Sequence, residues 1–170
     1  MSDITPELVA RLFDGHAAAL ELYAAQWVGA PADVVQEAFL QLVRQRSLPT
    51  NPVAWLYRVV RNRAASAARA DGRRRRREQT IAAISASWFL PTERNALDAA
   101  AAADALRSLP DDEREVVIAR IWGGLTFEEI AEVAEISSST AHRRYEAALE
   151  LLRERLGVTW VQAKLSTLKN

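Results

Sequence analysis

The chain has 170 residues, one ordinary domain by length or two small helical ones, and nearly half of them are apolar, so a real core is affordable. Ala, Leu, Arg and Glu dominate while Gly and Pro are few, which favours an all-α fold; the absence of Cys excludes a disulfide framework, a thiolate metal site and a Cys nucleophile. The formal net charge is zero, but the charges are segregated along the chain.

The elements follow in chain order. Over residues 5–28, Leu8, Leu12, Phe13, Leu20, Tyr23 and Trp27 repeat at helical spacing and predict one amphipathic helix. GAP (29–31) breaks it. A second helix is predicted from Asp33 to Arg46 with Val35, Ala38, Phe39 and Leu42 inward. The loop SLPTNP (47–52) is rich in turn residues. Pro52 then opens a third helix that runs to Ala70, because Pro suits the first turn, where its missing N–H has no helical partner. Leu56, Val59, Val60 and Ala67 form its predicted inner face, and Asp71-Gly72 stops it. RRRRR (73–77) follows.

Residues 78–97 have weaker periodicity and read as a linker. Trp88, Phe89 and Leu90 are more than a plain linker needs; packing on a domain and docking on a partner both remain open, and packing is the simpler. A second helical unit begins near Leu97, with an Ala-rich helix over 98–108 ended by Pro110. DDERE opens the next helix, with acids at its positive end. It runs to Trp122 and closes on Gly123-Gly124. Thr126 and Glu129 have the spacing of a capping box at the start of another helix. Ser137 caps a last helix. On it, Ala141, Tyr145, Ala148 and Leu152 share one face, and Ser138, Ser139, His142, Arg143 and Glu146 lie mostly on the other. The tail GVTWVQAKLSTLKN ends the chain.

From Arg58 to Arg77 there are nine Arg against one acid, about +8; from Glu78 to Glu115 there are eight acids against three Arg, about −5. This divides the chain into two units with a seam between them and places a polyanion site at the basic block. His16 and His142 lie far apart, and no metal or cofactor is expected. No apolar run approaches the roughly 20 residues of a membrane span. Asp3, Glu7 and Arg11 interrupt the first segment in a way that argues against a signal peptide, so a cytoplasmic protein is expected.

The stretch LTFEEIAEVAEISSSTAHRRYEAALELL (125–152) has the pattern of a helix-turn-helix. The polar start of the second helix is the part that enters a major groove in this motif. Ser and Thr there bond phosphate oxygens, and Arg143 and Arg144 suit phosphate or a guanine edge. A helical hairpin inside an ordinary bundle is the plainer alternative.

At this point a family resemblance appears. LPDDEREVVIARIWGGLTFEEIAEVAEISSSTAHRRYEAALELLRERL resembles region 4 of bacterial sigma factors of the extracytoplasmic-function (ECF) group. DVVQEAFLQLV (33–43) and PVAWLYRVVRN (52–62) resemble region 2 of that group, in the family's order and spacing. The resemblance implies a three-helix region 2 over residues 1–77, a linker over 78–97, a four-helix region 4 over 98–156 and a tail over 157–170. It implies a protein that binds core RNA polymerase, directs it to promoters and helps open the DNA, with no catalytic residues of its own. Asp33, Gln36, Glu37, Leu40 and Arg44 then face the β′ clamp. Arg58, Arg61, Asn62, Ser66 and Arg69, with Trp55 beside them, read the −10 element; the position of Trp55 near the core boundary allows packing or base stacking, and packing is the favoured of the two. The loop from Ser47 to Asn51 sits where the family captures a flipped base. Ser138, Ser139, Thr140, His142, Arg143 and Arg144 read the −35 element, and another face of region 4 holds the β flap. A monomer when free and an anti-sigma partner also fall within what the resemblance implies.

Three departures stand out. Ser66 occupies the place where many members have Asp. Glu135 stands where the turn of the helix-turn-helix usually has Gly, so it must either adopt a left-handed backbone or alter the turn. The segment before Asp33 lacks the usual acidic run. The competing expectation is a stand-alone helix-turn-helix regulator that binds duplex DNA as a dimer.

Overall fold

The computed structural model describes residues 4–70 and 96–157, with side chains from residue 100 onward in the second stretch. The described residues form seven α-helices and no strand. They fall into two compact units, Met1–Ala83 and Ile84–Asn170. The Arg run 73–77, the Trp88-Phe89-Leu90 cluster and the tail beyond Gly157 lie outside the described residues.

The first unit holds α1 (Pro6–Ala24), α2 (Pro31–Val43) and α3 (Pro52–Ala70), each packed on the other two. All three helices begin with Pro. Thr5 caps α1 by accepting the Leu8 amide. Asn51 caps α3 by accepting the Ala54 amide through its side-chain oxygen at 3.0 Å. The caps satisfy amides that have no partner inside a helix. Two boundaries differ from expectation. α1 ends at Ala24 rather than near residue 28, and Trp27 and Val28 continue as turns bonded to the Ala24 carbonyl. α2 spans Pro31–Val43 rather than Asp33–Arg46, because Pro31 opens the helix instead of breaking the chain.

The core of this unit is built from Leu20, Leu22, Tyr23, Leu42, Leu56 and Tyr57, all fully buried. Burying a large apolar side chain contributes about 1.5–3 kcal/mol. The Tyr23 ring meets Tyr57 edge-on at 4.9 Å and Trp27 at 5.1 Å. Val35, Ala38, Phe39 and Leu42 are buried as their spacing predicts. Phe13 is not: it lies 43% exposed at the end where α1 begins and α2 ends. It keeps the helical register of Ala17 and Leu20, but the packing opens there, and its ring meets Phe39 edge-on at 5.1 Å. Val59 and Ala67 are half-buried, while Tyr57 and Ala64 take the inner face of α3.

The second unit holds α4 (Ala96–Ser108), α5 (Asp111–Ile121), α6 (Phe127–Ala134) and α7 (Ser138–Leu156). α7 is the hub and packs on the other three. Its Ala141, Tyr145, Ala148 and Leu152 are all buried, as their shared face predicts. Thr126 and Glu129 form both bonds of the capping box. Gly124, with φ +68°, supplies the left-handed turn between α5 and α6. Arg114, 2% exposed, ties α5 back to α4 by donating to the Arg107 carbonyl, and pairs with Asp111 in the first turn of its own helix.

Candidate nucleic-acid interface

α3 exposes a polar stripe along its solvent side. Arg58, Asn62, Ser66 and Arg69 are exposed on it, and Arg61 flanks it half-buried and already engaged with a neighbour. Trp55 is half-buried at the edge of the stripe. The spacing sets this geometry: residues 58, 62, 66 and 69 recur at four, four and three, with apolar residues at the intervening core positions. Guanidinium groups hold phosphates without reading sequence, whereas the Asn62 amide presents a donor and an acceptor to a base edge. The face combines the two.

Arg63 belongs to the same basic segment but points elsewhere. It donates to Gln41 Oε1 on α2 through Nη2 at 3.2 Å and Nε at 3.4 Å, and lies 3.7 Å from a Glu37 oxygen. The charge count does not distinguish it, but its helical position does, and the stripe expected from the sequence leaves it out; its partners on α2 are what the sequence did not give.

On α2, Asp33, Gln36, Glu37, Leu40 and Arg44 are all exposed, with Leu40 at 45%. Val43 is 54% exposed beside them. Next to Val43 an open groove of about 490 Å³ runs along the start of α1, lined by Ile4, Val9, Ala10 and Phe13. Sequence reasoning missed this apolar surface. The adjacent pairs Leu12-Phe13 and Leu42-Val43 were its signal, since neighbouring positions cannot both face one core.

In the second unit the helix-turn-helix is α6, a tight turn and α7. Glu135 makes the turn in the left-handed conformation, at φ 57° and ψ 45°. Its amide and that of Ile136 both bond the Ala131 carbonyl, which closes α6. Ser137 caps α7, accepting the Thr140 amide at 3.1 Å. Its hydroxyl also lies 3.0 Å from that of Ser139 and 2.8 Å from that of Thr140. The first turn of α7 therefore offers a tied hydroxyl cluster, with Ser138, Ser139, His142 and Arg143 exposed and Thr140 half-buried. Amides at a helix start and small hydroxyls together suit a phosphate or a base edge.

Phe127 seats this helix. Its ring meets His142 edge-on at 5.0 Å and Tyr145 at 5.5 Å, and the Arg120 guanidinium lies 4.9 Å from its centre. Arg120 also donates to the Leu125 carbonyl at 2.7 Å, which holds the turn ahead of α6. Arg144 differs from its neighbours: it is half-buried and ion-paired to Asp112 at the start of α5. Among the described residues no group of His, Cys, Asp and Glu is arranged to hold a metal ion, and no helix is long and apolar enough to cross a membrane.

Comparison with known proteins fits this division. The family model for sigma-70 region 2 matches residues 11–74, and that for sigma-70 region 4 matches residues 105–154. The chain is 32% identical over 165 residues to the ECF RNA polymerase sigma factor SigL of Mycobacterium tuberculosis, covering 89% of this chain and 92% of that one. It is 34% identical over 159 residues to the RNA polymerase sigma factor CarQ of Myxococcus xanthus, covering 86% and 87%. The fold is similar to that of the sigma factor RpoE from Bartonella quintana, solved in complex with the anti-sigma factor NepR. The TM-score is 0.67 at 24% identity, over 89% of this chain and 95% of that one.

Proposed function

The chain belongs to the sigma-70 family of RNA polymerase sigma factors, in its ECF group, and directs core polymerase to promoters; we propose how its surfaces divide that work. Residues 1–77 act as region 2, 78–97 as the linker, 98–156 as region 4 and 157–170 as a tail. The observation that carries this reading is the pairing, in one chain, of an exposed Arg/Asn stripe on α3 with an exposed hydroxyl-rich start of α7.

Region 2 engages the polymerase through α2. Asp33 and Glu37 offer carboxylates to cations of the β′ clamp, and Leu40 adds an apolar contact between them and Arg44. The stripe of α3 takes the partly single-stranded −10 element: Arg58, Arg61 and Arg69 hold phosphates, and Asn62 and Ser66 face base edges. Trp55, half-buried, supports the stripe from its edge. Region 4 reads the −35 element with the first turns of α7. Ser138, Ser139, Thr140, His142 and Arg143 form that surface, and Arg144 holds the helix on α5. The β flap takes another face of this unit. The chain acts as a non-enzymatic initiation factor beside the polymerase in the cytoplasm, as a monomer when free. The likeness to a sigma factor solved with its anti-sigma protein supports an inhibitory partner of that kind.

A neutral chain suits this role. Free binding to random DNA is mainly electrostatic, and a concentrated basic stripe on a chain of zero net charge limits it until polymerase adds its own phosphate contacts.

The test is run-off transcription by purified core polymerase on a pool of genomic fragments, with and without the chain. New discrete transcripts are expected, and their aligned upstream sequences give both elements. Asp33→Arg should abolish them. Tight duplex binding by a dimer of the free chain, with no new transcripts, would instead support the stand-alone regulator.

A further inference from the structure

Arg63 is the basic residue of α3 that the promoter-facing stripe does not contain. Its neighbours Asn62 and Ser66 face solvent, but its own guanidinium is turned to α2, where it meets Gln41 and Glu37. The tether is weak in kind. Its two hydrogen bonds go to a neutral amide oxygen, at 3.2 and 3.4 Å, and the carboxylate lies 3.7 Å away, beyond a direct hydrogen bond. The side chains of Arg63 and Glu37 are 43% and 53% exposed, so water screens the pair. Glu37 is also one of the two acids on the α2 face read above as the polymerase surface. One carboxylate thus has two claimants: the chain's own Arg63 and any cation that docks on α2.

We propose that Arg63 is an additional promoter contact released by polymerase. A cation of the polymerase that engages Glu37 removes the charged half of the tether. The guanidinium is then left with a neutral partner, beside a helix face that carries single-stranded DNA. Phosphate is the stronger acceptor, because a charge-assisted, two-pronged bond to it outweighs bonds to an amide. Polymerase binding and −10 binding are coupled through this exchange, without movement of the helices. The inference rests on the reading of α2 as the polymerase face and α3 as the −10 face.

Two affinities of Arg63→Ala decide it, each measured with the full chain: for core polymerase, and, as holoenzyme, for a −10 single strand over a range of salt. Removing the competitor for Glu37 should tighten core binding about two- to threefold, the scale of an exposed ion pair. The holoenzyme should bind the single strand several-fold more weakly, with a salt dependence flatter by about 0.7 in the log–log slope, one lost phosphate contact. Arg63→Lys keeps the charge but not the two-pronged bond, so it should restore the salt dependence and only part of the DNA affinity. The opposite signs are the signature. A residue that merely braces α2 against α3 would weaken core binding when removed, and that result, or unchanged DNA binding in the holoenzyme, overturns the proposal. Asp33→Arg and Arg58→Ala are the controls for the underlying reading. If they fail to weaken core and DNA binding respectively, the surfaces themselves are misassigned; if they behave as expected and Arg63→Ala does not, the exchange alone is wrong.

Discussion

Arg144, in the second turn of α7, is ion-paired to Asp112 in the first turn of α5. Its neighbour Arg143 is exposed. Two adjacent arginines of identical chemistry therefore have different work, since adjacent helix positions point about 100° apart.

Arg143→Ala should weaken binding of a −35 duplex by the holoenzyme several-fold and leave thermal stability unchanged. Arg144→Ala and Asp112→Asn should each lower stability by about 0.5 kcal/mol, a value held down because Asp112 is largely solvated. The double variant should lose no more than either alone, because both remove the same pair. Additive losses in thermal unfolding would show that Arg144 does not act through Asp112.

Glu135 adopts a left-handed backbone that suits Gly. Glu135→Gly should raise stability by about 0.5–1 kcal/mol, the strain relieved less the extra entropy of an unfolded Gly. Glu135→Ala should bring no such gain. The −35 preference should not change, because Glu135 lies in the turn before the reading surface. Thermal unfolding of the two variants beside the parent chain checks the order.

Arg58 and Asn62 lie side by side on α3 and should fail differently. Arg58→Ala should weaken holoenzyme binding to all −10 sequences alike and flatten its salt dependence. Asn62→Ala should leave the salt dependence intact and reduce discrimination at one base, by about 1–3 kcal/mol if its contact is bidentate. Competition between parent and single-base variants of the −10 strand separates the two.

His16 sits partly buried on α1, and desolvation lowers its pKa below the ordinary 6.5. The unfolded chain therefore takes up a proton near pH 6.5 that the folded chain refuses until lower pH. Its contribution to stability is complete above that pH and is lost as pH falls through the window below it. The His16 imidazole signals in an NMR titration should show a midpoint below 6.5, and His16→Gln should remove this part of the acid destabilisation.

Much of the fold was legible in the residues. The extent of α3, the capping box at Thr126, the cap at Ser137 and the buried face of α7 all follow from local chemistry, and the structure keeps them. These features depend on side chains within a few positions of one another, so sequence spacing carries them almost completely. The ends of α1 and α2 were less clear, because a Pro after Gly-Ala can stop one helix or start the next, and only packing decides which.

What spacing could not supply was the destination of long charged side chains and the place where packing opens. Arg63 and Arg144 sit in runs that look uniformly basic, yet one meets Gln41 and Glu37 and the other Asp112. Phe13 keeps a core register but is left at an open end beside Val43. Such outcomes depend on residues 22 to 32 positions away that only the folded unit brings near. The sequence by itself determined the order of the helices, the caps at Thr126 and Ser137 and the two exposed polar faces on α3 and α7. Tertiary structure decided which arginines those surfaces contain, because a guanidinium goes to the acceptor within reach, and reach is set by how the helices pack.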